Sequence, residues 1–341
     1  MREPTVAGTA NAANQPDLRM VVALPRSGST MTMCLLAEHQ MIGVTSRLTL
    51  MGNMQPRTGA RGDYRPFEPD YSIYDGPLAD PAHPIYAKAQ EKGYRVIVSK
   101  EETGNDLATG TPDLNEVNYP VLPNDDAIRT ARPVFLVREP KAAFDSWLAK
   151  GWDDIDAFIT AYKNIADSYD RAKSVVPGTR IISYDAMVEN ERNQEMILRG
   201  VTSHWGLPFD PAMMSYDNKE FGQNFLYRST REQDIYTKEN PKGLFSSVMA
   251  HSGVQHTDGV ATTRVKHGLI TTDQVERLDR ELGDIFARLD TECRLQAFRT
   301  QMILKGRPVR FDHELDNAAN DDNYGKKAPE QRFTAPVAAL G

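Results

Sequence analysis

The chain has little cysteine. Among its 341 residues only Cys34 and Cys293 are cysteines, far apart in sequence, which excludes a disulfide-framed scaffold. Cys34 lies in an apolar stretch, where a buried thiol is the default. No run approaches the ~18 apolar residues of a membrane-spanning helix. Residues 1–18, rich in Ala, Asn, Thr and Pro, lack the apolar stretch of a signal peptide and read as a loose arm. An excess of cations is missing too. Forty Lys and Arg against 47 Asp and Glu give a net charge of −7, which argues against a general nucleic-acid surface and leaves room for local basic sites. No internal repeat is visible. What is present is ordinary for a globular chain, 40% apolar and 26% charged residues, with length for one large α/β domain or two small ones.

The stretch that organises the rest is MVVALPRSGSTMTMCLLAE, Met20–Glu38. It reads as a short strand (Met20–Leu24), a tight polar loop (Pro25–Ser29) and a helix over roughly Thr30–His39. A strand feeding a loop that opens a helix gathers free N–H groups and the positive end of the helix dipole at one spot, which suits an anion. Gly28 lets the backbone approach a ligand closely. Ser29 and Thr30 offer caps and hydroxyl donors, Ser27 completes the turn, and Arg26 adds a fixed charge. The window is not a nucleotide P-loop: Ala23 stands where that pattern needs its first Gly, and Ser29 where it needs Lys. The same residues also read as the strand–loop–helix of any α/β domain.

Further strands are expected at Ile42–Arg47, Tyr94–Ser99, Pro133–Val137 and Arg180–Tyr184. Helices are expected over Lys141–Lys150, from Ile155 to near Pro177, over Asn190–Trp205 and over Thr271–Arg288, the last opened by a Thr271/Gln274 capping box. Strands alternating with helices predict an α/β fold, a parallel sheet of about five strands flanked by helices. Residues 51–90 are dense in Gly, Pro, Asp and Tyr and read as a long irregular insertion. Tyr64, Phe67, Tyr71, Tyr74, Tyr86 and Tyr94 in or beside it favour an ordered lid or acceptor pocket over a solvated tail. Residues 218–256 read as a second insertion within one domain over 19–304, and 305–341 as a tail. Lys100, Glu101 and Glu102 stand at the carboxyl end of a strand, the edge where open α/β sheets bind ligands.

The Met20–Glu38 window resembles the 5′-phosphosulfate loop of sulfotransferases that use 3′-phosphoadenosine 5′-phosphosulfate (PAPS), which reads Pro-Arg/Lys-Ser-Gly-Ser/Thr-Thr. FLVREPKAAFDSW, Phe135–Trp147, is similar to the 3′-phosphate motif of that family: a strand, Arg138, Pro140, a short helix, then Ser146 eight residues after the Arg. Two motifs in the right order, about 110 residues apart, are far more specific than either alone. The resemblance, over roughly Met20 to Arg299, implies a P-loop-like fold and a cofactor held by Arg26, Ser27, Gly28, Ser29, Thr30, Arg138 and Ser146. It also implies Tyr184 near the adenine, and Arg264 and Lys266 as counterparts of a third phosphate-binding loop, although that match is broken by extra residues.

Transfer of a sulfuryl group leaves negative charge on the bridging oxygen, so cations and N–H donors are needed there, and Arg26 with the loop answers that need. The moving group is less charged than a phosphoryl group, so no metal is expected. The family's cytosolic members read Lys-x-His after the second central strand, with His as base. Here the frame reads Lys100-Glu101-Glu102, so Lys100 falls near the leaving group and Glu102, or Glu101 if the strand ends one residue earlier, takes the base position. The implied activity is sulfuryl transfer from PAPS, leaving adenosine 3′,5′-bisphosphate (PAP), to a hydroxyl or amine of a small molecule. The setting is a free cytoplasmic protein with neither nucleic acid nor membrane as partner, as in natural-product metabolism. A catalytically inactive PAP-binding relative and a P-loop small-molecule kinase are the alternatives.

Overall fold

Apolar runs separated by connections long enough to cross a sheet pair in parallel. The computed structural model describes residues 15–46, 84–102, 122, 124–216, 253–257 and 266–306. In it β1 (Asp17–Ala23), β2 (Ile42–Ser46), β3 (Val96–Glu102), β4 (Val134–Val137) and β5 (Arg180–Ser183) form one all-parallel sheet of order β2-β3-β1-β4-β5. Helices α1 (Ser29–Ala37), α2 (Pro84–Glu91), α3 (Asp125–Ala131), α4 (Pro140–Leu148), α5 (Ile155–Val175), α6 (Tyr184–Glu189), α7 (Glu191–His204) and α8 (Thr272–Leu304) flank it. This is the P-loop-like α/β architecture expected from the sequence. The chain divides into two units, Met1–Thr300 and Gln301–Gly341, and the described residues of the second are 301–306.

Strand β1 is central. The chain leaves it for β2, returns through β3 at its side, then crosses to β4 and β5 on the other side. Strand order therefore reverses at β1, and the carboxyl ends of β1, β3 and β4 border the crevice where such sheets bind ligands. Both faces are covered, so Met20 through Leu24 are buried without alternation. The main core runs through Phe135, Phe144, Trp147, Phe158 and Tyr162, and a smaller cluster of Leu18, Ile85, Tyr86, Ala89 and Ile97 lies under α2.

Several boundaries differ from expectation, each for a physical reason. Strand β1 begins at Asp17, inside the expected loose arm, because Arg19 donates to the Asp17 carboxylate (2.7 Å) and to the Thr130 carbonyl (3.1 Å). Residues 84–91, expected as irregular, form α2, and Tyr86 and Tyr94 join the cluster beneath it rather than a lid. Residues 51–83 and 217–252, with Tyr64, Phe67, Tyr71 and Tyr74, lie outside the described residues, as does the tail from 307. Helix α8 runs sixteen residues past Arg288, since its buried side continues through Cys293, Gln296, Ala297 and Thr300, half of them polar. Its capping box forms as expected, Thr271 N–H to Gln274 Oε1 at 3.0 Å and Gln274 N–H to Thr271 Oγ1 at 3.3 Å.

Candidate functional site at the carboxyl edge of the sheet

The loop after β1 turns tightly. The Ser27 hydroxyl and its N–H both donate to the Leu24 carbonyl, at 2.6 and 3.3 Å. Two residues take left-handed backbone, Arg26 (φ 70°) and Gly28 (φ 94°). Gly28 is required twice over, because a Cβ there would also stand 2.3 Å from Cδ2 of Tyr184. Gly28 is the N-cap of α1, and no side chain caps that end. The cap expected from Ser29 or Thr30 is not made, because both residues are already inside the first turn. The helix pattern leaves the leading N–H groups without intrahelical acceptors, so they face the crevice side of the loop with the positive end of the dipole.

Neighbouring elements fasten this loop. From α4, the Trp147 indole N–H donates to the Pro25 carbonyl (2.8 Å), and Ser146 Oγ accepts from Arg26 Nε (3.0 Å). From the end of β4, Arg138 Nη1 donates to the Arg26 carbonyl (3.1 Å). From β3, Glu102 Oε1 accepts from the Ser29 hydroxyl (2.5 Å). The same oxygen lies 3.0 Å from Lys100 Nζ, with both side chains at most one-tenth exposed. Burial lowers the Arg26 pKa; Glu102 opposes that shift and Arg138 adds to it.

Residues alternate across a strand, and β3 divides its ionisable end accordingly. Lys100 and Glu102 share the face of Val96 and Val98. Glu101 shares the other face with Ile97 and Ser99, and accepts from the Ser99 hydroxyl. The structure thus brings Arg26, Ser29, Lys100 and Glu102 together and keeps Glu101 apart from them.

On the far side, the Arg138 guanidinium stacks 4.8 Å from the Tyr184 ring centroid. Tyr184 does not end β5 as expected; it opens α6, capped by Ser183. Burial raises its phenol pKa, with Arg138 opposing and Asp185 adding. Asp185 accepts from the Glu139 N–H (2.7 Å) and the Tyr162 hydroxyl donates to the Arg138 carbonyl (2.9 Å), which fixes the end of β4 from two sides. Arg138 Nε is buried with no hydrogen-bond partner among the described residues.

Sequence reasoning missed Asp145. It is fully buried beside Ser146 and accepts from two backbone N–H groups, His267 (2.6 Å) and Leu269 (2.8 Å), so the segment after Lys266 is docked on α4. Its signal was there: a carboxylate set between Phe144 and Trp147 in an apolar helix. Lys266 itself is exposed, and Arg264 lies outside the described residues. The polar atoms of Trp147, Tyr162 and Asp185 hold the loop edges as well.

These residues fit a ligand with two anionic groups. The Arg138 Nε is a donor with no acceptor among the described residues, and Arg26, Ser29 and Lys100 form a cationic, hydroxyl-bearing set. Among the described residues, no three His, Cys, Asp or Glu side chains are grouped to hold a metal ion, and no helix is long and apolar enough to cross a membrane.

No family model matches the chain, and no curated protein sequence matches it. Solved structures similar to it include the sulfotransferase domain of the curacin biosynthetic pathway, 14% identical, covering 79% of this chain and 98% of that one with a TM-score of 0.43. The sulfotransferase domain of the Synechococcus PCC 7002 olefin synthase is 16% identical, covering 79% and 95% with a TM-score of 0.42. Mouse sulfotransferase SULT7A1, complexed with PAP, is 12% identical, covering 84% and 88% with a TM-score of 0.39.

Proposed function

We propose that the chain is a sulfotransferase that uses PAPS to modify a hydroxyl or amine of a small-molecule acceptor, a cytoplasmic enzyme of small-molecule metabolism. The observation that carries the reading is the joining of Arg26 to Ser146 and of Arg138 to the Arg26 carbonyl. Through it, the start of α1 with Arg26 and the Arg138 guanidinium with the Ser146 hydroxyl share one edge of the sheet, which suits a nucleotide with anionic groups on both sides of its ribose.

When bound, PAPS supplies an activated sulfuryl group on a phosphate oxygen. Arg26 and the leading N–H groups of α1 hold that phosphosulfate end and oppose charge that grows there. Lys100 adds a cation from the β3 side. Arg138, through its unpartnered Nε, and Ser146 hold the 3′-phosphate, and the Tyr184 ring gives the base a flat wall. Glu102 takes the acceptor's proton; Glu101, on the opposite face of β3, is out of reach of the same point.

Calorimetric titration of the wild type and of Arg138→Ala with PAP, with ADP as control and no added metal, tests this. Tight wild-type binding that drops by about a hundredfold in the variant, with ADP much weaker, is expected from loss of a charge-assisted phosphate contact. Absence of PAP binding, or preference for ATP with Mg²⁺, would replace this reading with the kinase.

A further inference from the structure

We propose that Glu102 is a built-in occupant of the anion cradle: its carboxylate engages the Ser29 hydroxyl and the Lys100 ammonium in place of a ligand anion, and must release Ser29 before such an anion is seated. This rests on the reading of the β1–α1 loop as an anion site. It goes further in coupling the arrival of the anion to the freeing of the carboxylate.

The register of the sheet imposes the contact. Ala23, the last residue of β1, pairs with Glu102, the last residue of β3, so the Glu102 backbone is fixed beside the strand that feeds the loop. Alternation then directs its side chain to the Lys100 face and keeps it off the Glu101 face. There one oxygen, Oε1, accepts from Ser29 Oγ at 2.5 Å and pairs with Lys100 Nζ at 3.0 Å. Ser29 opens α1, where the helix N–H groups gather, so the carboxylate and any ligand anion compete for one hydroxyl and one field of positive charge.

The arrangement has a chemical consequence. A carboxylate that accepts hydrogen bonds from a hydroxyl and an ammonium is a weak base, because those bonds stabilise its ionised form. Transfer of Ser29 to a ligand anion removes one of the bonds and sets a like charge close by. Filling the cradle thereby frees the Glu102 carboxylate from Ser29, and emptying it lets the two rejoin.

The test is calorimetric titration of the full chain with inorganic pyrophosphate, and separately with PAP, comparing wild type with Glu102→Gln, Glu102→Ala and Glu102→Asp. Gln removes the charge, Ala removes charge and contact, and Asp keeps the charge on a shorter arm. Pyrophosphate binding about tenfold tighter in the Gln and Ala variants, with Asp in between, is the expected result for removal of one partly buried like charge. Equal or weaker binding in those variants overturns the proposal, and so does an absence of pyrophosphate binding in every form, because deleting the occupant should open the cradle. Thermal melts followed by circular dichroism identify any variant that fails to fold, and the remaining ones are then read. Tighter pyrophosphate binding without any preference for PAP would leave this inference standing and remove the nucleotide reading. Strong PAP binding that is indifferent to Glu102 would do the reverse.

Discussion

Glu101 lies on the face of β3 that α2 covers, 1% exposed, and bonds to Ser99 two residues back on its own strand. Glu102 lies on the opposite face and reaches across to Ser29 at the start of α1. The first contact is local and sealed, so it belongs to the stability of the strand end. The second joins elements 73 residues apart in sequence, at the edge of the crevice. One step along a strand separates a carboxylate bonded within its own strand from one that reaches a neighbouring element, and the pleat decides which is which.

The contrast can be broken most severely from the loop side. Gly28→Ala puts a methyl group into the Tyr184 ring on a backbone that L-residues avoid, with an expected cost of about 3 kcal/mol or more. Anion binding should fall more than about a hundredfold, because the start of α1 shifts away from Ser146 and Glu102. Urea denaturation together with pyrophosphate titration measures both. Near-normal stability would mean that the ring turns aside at little cost.

A direct comparison of the two carboxylates comes next in size. Glu101→Ala should lower unfolding stability by about 2 kcal/mol, since it removes the buried carboxylate that accepts from the Ser99 hydroxyl, while pyrophosphate affinity stays within about twofold. Glu102→Ala should cost less stability and change affinity more. Equal effects on both readouts would erase the distinction between the faces.

The smallest effect sharpens the boundary of the site. Asp145→Asn keeps the shape and loses the charge that holds the His267 and Leu269 N–H groups, at about 1–2 kcal/mol for hydrogen bonds to a charged acceptor. Amide exchange at those two positions should quicken, while the strand amides of β3 stay protected. Unchanged exchange would mean that other contacts dock the segment.

The strand–loop–helix at Met20–Glu38 was legible because an apolar run, turn-forming residues and a second apolar run follow in order. Arg138 and Ser146 were picked out by the resemblance of Phe135–Trp147 to a known motif, and the structure brings both to the Arg26 loop. The start of β1 was not, because Asp17 and Arg19 look like loop residues until Thr130 is brought beside them. The far half of α8 was hidden for the same reason: Gln296 is buried, yet its amide donates to the Thr179 carbonyl (3.1 Å) and its oxygen accepts from the Ile181 N–H (3.1 Å). Neither partner can be inferred from its neighbours in sequence. Asp145 likewise draws its meaning from backbone more than 120 residues downstream. Periodicity reveals polar residues that face water, and it misses those whose partners are supplied by the fold.

The indole of Trp147 has its N–H on the Pro25 carbonyl, and its ring is set edge-on against Phe158 (5.0 Å, 85°) and Trp152 (5.6 Å, 89°). Pro25 has no N–H of its own to offer in return, so this anchor runs one way, from the hydrophobic interior to the loop. The loop is thus pegged to three aromatic rings set edge-on to one another. Residues 25–30 transplanted onto another sheet would carry Arg26, Ser29 and the leading N–H groups of α1 and lose the peg that aims them, and an enlarged or shrunken ring at Phe158 would tilt the loop without touching it.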